Sequence, residues 1–149
     1  VSGSAAGSAR RRGRQAALQA LYAADLGGRP EGGAPSIDDV FDRVAEHFEL
    51  PEGARAFAKE LVTGVASRQD ELDAALAQHA RNWRLSRMAA VDRNILRLAA
   101  YEICQTDTPV SVILDEAIEL AHRFGGESSP VFVNGVLDAL ARQVRGGGA

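Results

Sequence analysis

The chain has 149 residues, 46% of them hydrophobic and 25% charged, with a formal net charge of −3. That length suits one domain burying roughly two-thirds of its unfolded surface, and no apolar run nears the ~20 residues that span a bilayer. The single cysteine, Cys104, excludes an internal disulfide and fits a reducing compartment such as the cytoplasm.

The opening VSGSAAGSA has neither the basic nor the apolar region of a signal peptide. It reads as a disordered leader over residues 1–9, ahead of a single domain over residues 10–145. A first helix is expected from about Arg10 to Asp25, with Leu18, Leu21, Tyr22 and Leu26 on one stripe. It ends at Gly27-Gly28, and GGRPEGGAP (27–35) is a loop dense in Gly and Pro. SIDDVFDRVAEHFEL then starts a second helix, with Ser36 as N-cap. Its apolar residues Ile37, Val40, Phe41, Val44, Ala45 and Phe48 hold the helical period.

After Pro51 a third helix uses Phe57, Leu61, Val62 and Val65, and a fourth segment carries Leu72 and Leu76. A fifth runs from about Ser86 to Cys104 through Met88, Val91, Ile95, Leu98, Ala99 and Ile103. A sixth follows Thr108-Pro109 with Ile113, Ala117, Leu120, Ala121 and Phe124, closing at Gly125-Gly126. The seventh opens SSPVFVNGVLDAL, with Ser129 as N-cap, Pro130 in the first turn and a stripe of Val133, Val136, Leu137, Leu140 and Val144. No alternating run asks for a strand. The expected fold is all-α, six or seven helices in two small bundles sharing one core. Gly64 and Gly135 lie inside helices at a cost of about 1 kcal/mol each, so close helix–helix approach is expected at both. Trp83 is read as core or interface, and the Asn134 amide as satisfying a neighbouring helix end.

Charge is distributed unevenly. Residues 1–14 hold Arg10, Arg11, Arg12 and Arg14 and no acid, while the remainder holds 13 basic and 20 acidic residues, a net of −7. A basic arm on an acidic body points to a polyanion met at one place. Arginines at a helix N-terminus oppose the macrodipole, so an anion such as a nucleic-acid backbone is expected to complete the arm.

No catalytic constellation is present in the sequence. Asp115, Glu119 and His122 share one face of the sixth helix, and ELAH (119–122) matches the Glu-x-x-His of di-iron bundles. Such sites need a second copy of that motif, so a solvated face is expected and no metal or cofactor. There is no Cys-x-x-Cys pair, phosphate-binding glycine loop or nucleophile elbow. The residues read as a binding protein and not an enzyme.

Four stretches in order, RRRGRQAALQALY, ILRLAAYEI, DEAIELAHRFG and FVNGVLDAL, resemble the NusB family of bacterial transcription antitermination factors. The resemblance covers nearly all of residues 10–144. It implies an all-helical protein without enzymatic activity that binds boxA RNA in ribosomal RNA leaders. The ribosomal protein NusE is the implied partner, within a complex with other Nus factors on RNA polymerase. On this resemblance Arg10, Arg11, Arg12, Arg14, Gln15, Tyr22 and Phe132 are RNA-binding candidates, and Asp92 and Phe132 face NusE. Some relatives carry an aspartate and a lysine where this chain has Ser128 and Val131. A homodimer covering the RNA face is compatible with the sequence. Two alternatives stay open at this point: an RNA-binding accessory domain like those of some ribosomal RNA cytosine methyltransferases, and a helical interaction module without RNA.

Overall fold

Helix dominates the residues that the computed structural model describes, 5–27, 36–80 and 87–146, and no strand occurs among them. The leader's first four residues, the loop 28–35 and Trp83 lie outside the described residues. Seven α-helices follow in order: α1 (Ala5–Gly27), α2 (Ile37–Ala45), α3 (Ala54–Ser67), α4 (Gln69–Ala77), α5 (Ala90–Gln105), α6 (Val110–Phe124) and α7 (Ser129–Arg145). They fall into two compact units, Val1–Ser67 and Arg68–Ala149. The break comes at Arg68, whose φ of −120° and ψ of 17° depart from helical values between α3 and α4.

In the first unit α1 packs on α2 and α3, and α2 packs on α3. The buried side of α1 is mostly small, with Ala16, Ala17 and Ala20 beside Leu18 and Leu21. Small residues let helix backbones approach, and Gly13 marks a tight point. A Cβ built there would sit 3.0 Å from Phe57 Cδ2 and 3.1 Å from the Ala54 carbonyl oxygen. α2 begins as its sequence demands, with the Ser36 hydroxyl accepting the Asp39 N–H at 3.1 Å and Asp38 and Asp39 complementing the macrodipole. It ends at Ala45, five residues short of Leu50, and Phe48 stays half-buried beyond its end. Phe41, Leu61, Val62 and Val65 complete the core, each such side chain contributing about 1.5–3 kcal/mol by burial.

In the second unit α5 is the central helix, packed on α4, α6 and α7. Seven consecutive residues from Asn94 to Ala100 are buried, which is how a helix enclosed by neighbours reads. It buries three polar residues, Asn94, Arg97 and Glu102, and none of them is without a partner. Arg97 donates Nε and Nη2 to the Asp73 carboxylate at 2.7 and 2.8 Å, and Asn94 Nδ2 donates to the Ala90 carbonyl. The C-terminus of α5 leaves carbonyls without helical partners. Arg145 of α7 covers that end, donating to the carbonyls of Glu102, Ile103, Thr106 and Thr108 at 2.6–3.0 Å. α7 itself stops at Gly146, left-handed at φ 83°, where glycine carries no Cβ penalty.

Several expectations change. Residues 5–9, read as leader, are the first turns of α1. α5 starts at Ala90, so Met88 precedes it. The N-cap position of α7 belongs to Ser128, without a side-chain cap bond, while Ser129 is buried and its hydroxyl accepts the Gly126 N–H at 2.9 Å. Gly135 is exposed, and a Cβ there would meet nothing within 4 Å; the close approach it was expected to serve is found at Gly13. Asn134 is also exposed, with no side-chain hydrogen bond among the described residues. Gly64 is half-buried in α3.

Candidate nucleic-acid interface

The arginine run lies inside α1 and not at its mouth, because the helix already runs from Ala5. The macrodipole fades beyond the first turn, so it neither opposes these charges nor supplies free N–H groups beside them. What arranges the run is helical spacing against α3. Arg10 and Arg14, four residues apart, both point to Phe57, their guanidinium carbons 4.7 and 5.2 Å from the ring centroid. Arg11 and Arg12 fall outside that contact and are exposed.

The four arginines therefore do different things. Arg14 is only 3% exposed and is a packed residue. Arg10 and Arg12 are exposed and have no hydrogen-bond or ion-pair partner among the described residues. Gln15 and Tyr22, four and eleven residues after Arg11 on one side of α1, are both half-buried. The unengaged donors of Arg10 and Arg12, held on one helix, can bind phosphates through guanidinium forks.

The second unit brings Asp92 and Phe132 together. With Met88, Ala89, Ser128 and Val131 they line a cleft of about 270 Å³ where the start of α5 meets the start of α7. Asp92 stands in the first turn of α5, where a carboxylate suits the macrodipole. Its Oδ1 is buried and has no hydrogen-bond partner among the described residues. Val131, at 80% exposure, is an apolar side chain set at the rim. A carboxylate oxygen without a donor inside a mostly apolar cleft is suited to a partner that brings an N–H and apolar surface together.

Asp115 and His122 are exposed on α6 and Glu119 is half-buried, and no three acidic, histidine or cysteine side chains among the described residues are placed to hold a metal. His79 Nε2 lies 2.7 Å from Gln143 Oε1, a contact between the end of α4 and α7. Burial pushes the Cys104 thiol above its usual range, with Arg145 opposing in part. A protonated, half-buried thiol is a poor nucleophile. No described helix is long and apolar enough to cross a membrane. Sequence reasoning overlooked Phe57, which its apolar spacing presents only as core, and the Arg145 cap, for which the sequence carries no signal.

The helices and this arginine ridge define an all-helical protein with a cluster of positive charge on its first helix. The NusB family model matches residues 11–142. The transcription antitermination protein NusB of Anaeromyxobacter dehalogenans (strain 2CP-1) is 48% identical over 135 residues, 90% of this chain and 91% of that protein. The solved NusB of T. maritima superposes with a TM-score of 0.80 at 33% identity, covering 90% and 91% of the two chains. A structure of antitermination factors NusB and NusE in complex with dsRNA matches with a TM-score of 0.79 at 27% identity, covering 91% and 97%. The chain belongs to the NusB family of transcription antitermination proteins.

Proposed function

We propose that the chain is a cytoplasmic antitermination factor that binds boxA RNA of ribosomal RNA leaders together with NusE. In this reading it acts without catalysis, within a complex of other Nus factors on RNA polymerase. The observation that carries it is the ridge of Arg10, Arg11 and Arg12 on α1, a concentration of positive charge in an otherwise acidic chain. The structural neighbour that contains NusB, NusE and dsRNA supports the same reading.

Each candidate residue then has a role. Arg10, Arg11 and Arg12 meet phosphates, with Gln15 and Tyr22 continuing the RNA path along α1. Arg14, buried on Phe57, fixes α1 beneath them. Asp92 and Phe132 form the NusE cleft of the second unit, with Phe132 also near RNA. Ser128 and Val131 leave that cleft short of charge, so its contact with NusE rests on apolar burial and on the single carboxylate of Asp92.

Titration of a boxA leader RNA with and without NusE tests the proposal. Binding should weaken steeply with salt, because phosphate contacts release counterions, and NusE should tighten it. Absence of RNA binding in both arms would overturn the proposal.

A further inference from the structure

We propose that Phe57 of α3 is a positioning residue for RNA, an inference that rests on the RNA-binding reading of α1. Its ring holds the Arg10 guanidinium in place, with Arg14 packed on the same ring as the buried support. The sequence places no charge at Phe57 and no part of the arginine run on α3.

Three observations converge on the ring. Arg10 lies over it at 4.7 Å and Arg14 at 5.2 Å. Arg10 is exposed and has no hydrogen-bond or ion-pair partner among the described residues, so the ring is what fixes its direction. Gly13, between the two arginines, leaves little room for a Cβ: one would stand 3.0 Å from Phe57 Cδ2, and a neighbour would have to give way. The glycine is thus what lets the ring reach the α1 backbone at the height of the two guanidinium groups.

The chemistry of the hold matters. A guanidinium stacked on an aromatic face uses its π surface, and its five N–H donors lie in its own plane. Holding the same group with a carboxylate engages those donors, as Asp73 does with Nε and Nη2 of Arg97. A ring therefore restrains Arg10 and leaves its donors available for a phosphate. The restraint removes part of the side-chain ordering that binding otherwise requires.

The test is a double-mutant cycle read by titration with boxA leader RNA across a salt series. Phe57→Leu keeps an apolar side chain and removes the aromatic face; Phe57→Tyr keeps both. Phe57→Leu should weaken RNA binding roughly threefold to tenfold at an unchanged salt slope, and Phe57→Tyr should restore it. Arg10→Ala should make the slope shallower by about 0.7, one phosphate contact on single-stranded RNA. In the Arg10→Ala background Phe57→Leu should then cost less than about twofold, because coupled residues do not add. Full additivity of the two, or wild-type affinity of Phe57→Leu, would overturn the role of Phe57 and leave RNA binding standing. Loss of RNA binding by the unmodified chain would overturn both. The free protein gives a readout without RNA. The Arg10 Nε–H resonance should be ring-shifted and restrained in the wild type and Phe57→Tyr, and released in Phe57→Leu. An Arg10 side chain equally mobile in wild type and Phe57→Leu would overturn the proposal.

Discussion

The two units each bury an arginine, and they do it differently. Arg14, 3% exposed on α1, packs against the Phe57 ring; Arg97, 6% exposed on α5, is locked to the Asp73 carboxylate. Two arginines of the second unit have their N–H groups consumed by structure, Arg97 by Asp73 and Arg145 by four carbonyls. In the first unit the same ring that receives Arg14 receives Arg10, which remains exposed and without a polar partner among the described residues. A carboxylate neutralises the charge it orders, whereas a ring orders a charge and leaves it positive. A surface that must meet a polyanion is better built by the second method.

The most severe way to break the comparison is to remove the carboxylate. Asp73→Ala leaves Arg97 enclosed without its counter-charge. Breaking a fully buried pair costs about 3–5 kcal/mol. Asp73 is 25% exposed, which lowers the expectation to ~2–4 kcal/mol once solvent screening is counted. Urea unfolding of the variant reads the loss directly. A cost below ~1 kcal/mol would mean that water replaces the carboxylate and that Arg97 is held no more firmly than Arg10.

Asp92 offers the converse case, a carboxylate oxygen that structure does not consume. Asp92→Lys should weaken NusE binding by about 2 kcal/mol or more, since reversing a complementary charge turns attraction into repulsion. The RNA affinity of the chain alone should stay unchanged. Calorimetric titration with NusE and, separately, with RNA checks both halves. Unaltered NusE affinity would move the partner surface away from the α5–α7 cleft.

Much of this arrangement was legible in the sequence, and what was not has physical reasons. Helical period, the Ser36 cap and the glycine stops point to six or seven helices, because those signals are local, and the structure has seven. The place of Arg10 within α1 is not legible, since the small-residue stretch ahead of it has no apolar period to mark a helix, and the argument from the macrodipole goes with it. Gly13 and Gly135 were indistinguishable as letters; only packing reveals that one faces Phe57 and the other solvent. The pairing of Asp92 with Phe132 came from family resemblance, and no spacing rule relates residues forty positions apart. Arg14 looked equivalent to Arg11 and Arg12, and its burial depends on a ring in another helix.

Arg14 and Arg12 sharpen the comparison inside the first unit. Arg14→Ala should destabilise the chain by about 1–2 kcal/mol, through the lost packing of its stem and the lost ring contact. Arg12→Ala should leave stability within about 0.5 kcal/mol and lower the RNA salt slope by about 0.7. Thermal melts and a salt series on the two variants should therefore give opposite patterns. If Arg14→Ala melts like the wild type, its burial carries no weight and the ring orders nothing.

The smallest effect concerns two glycines whose replacement by alanine should have opposite signs. Gly135 sits exposed within α7 and a Cβ there meets nothing within 4 Å. Alanine removes unfolded-state freedom and improves helix propensity, so Gly135→Ala should stabilise by about 0.5–1 kcal/mol. Gly13→Ala gains a similar amount from propensity. Its new methyl, however, meets the Phe57 ring at 3.0 Å and the Ala54 carbonyl at 3.1 Å, and the carbonyl belongs to the backbone of α3 and yields little. Overpacking of that kind costs about 1–3 kcal/mol, so the net change should be a loss of about 1 kcal/mol. The displaced ring should also loosen Arg10, and RNA binding should weaken in Gly13→Ala while Gly135→Ala leaves it alone. Denaturant midpoints moving in the same direction for both variants would show that α1 and α3 have slack at Gly13, and that the ring is not held where the two arginines need it.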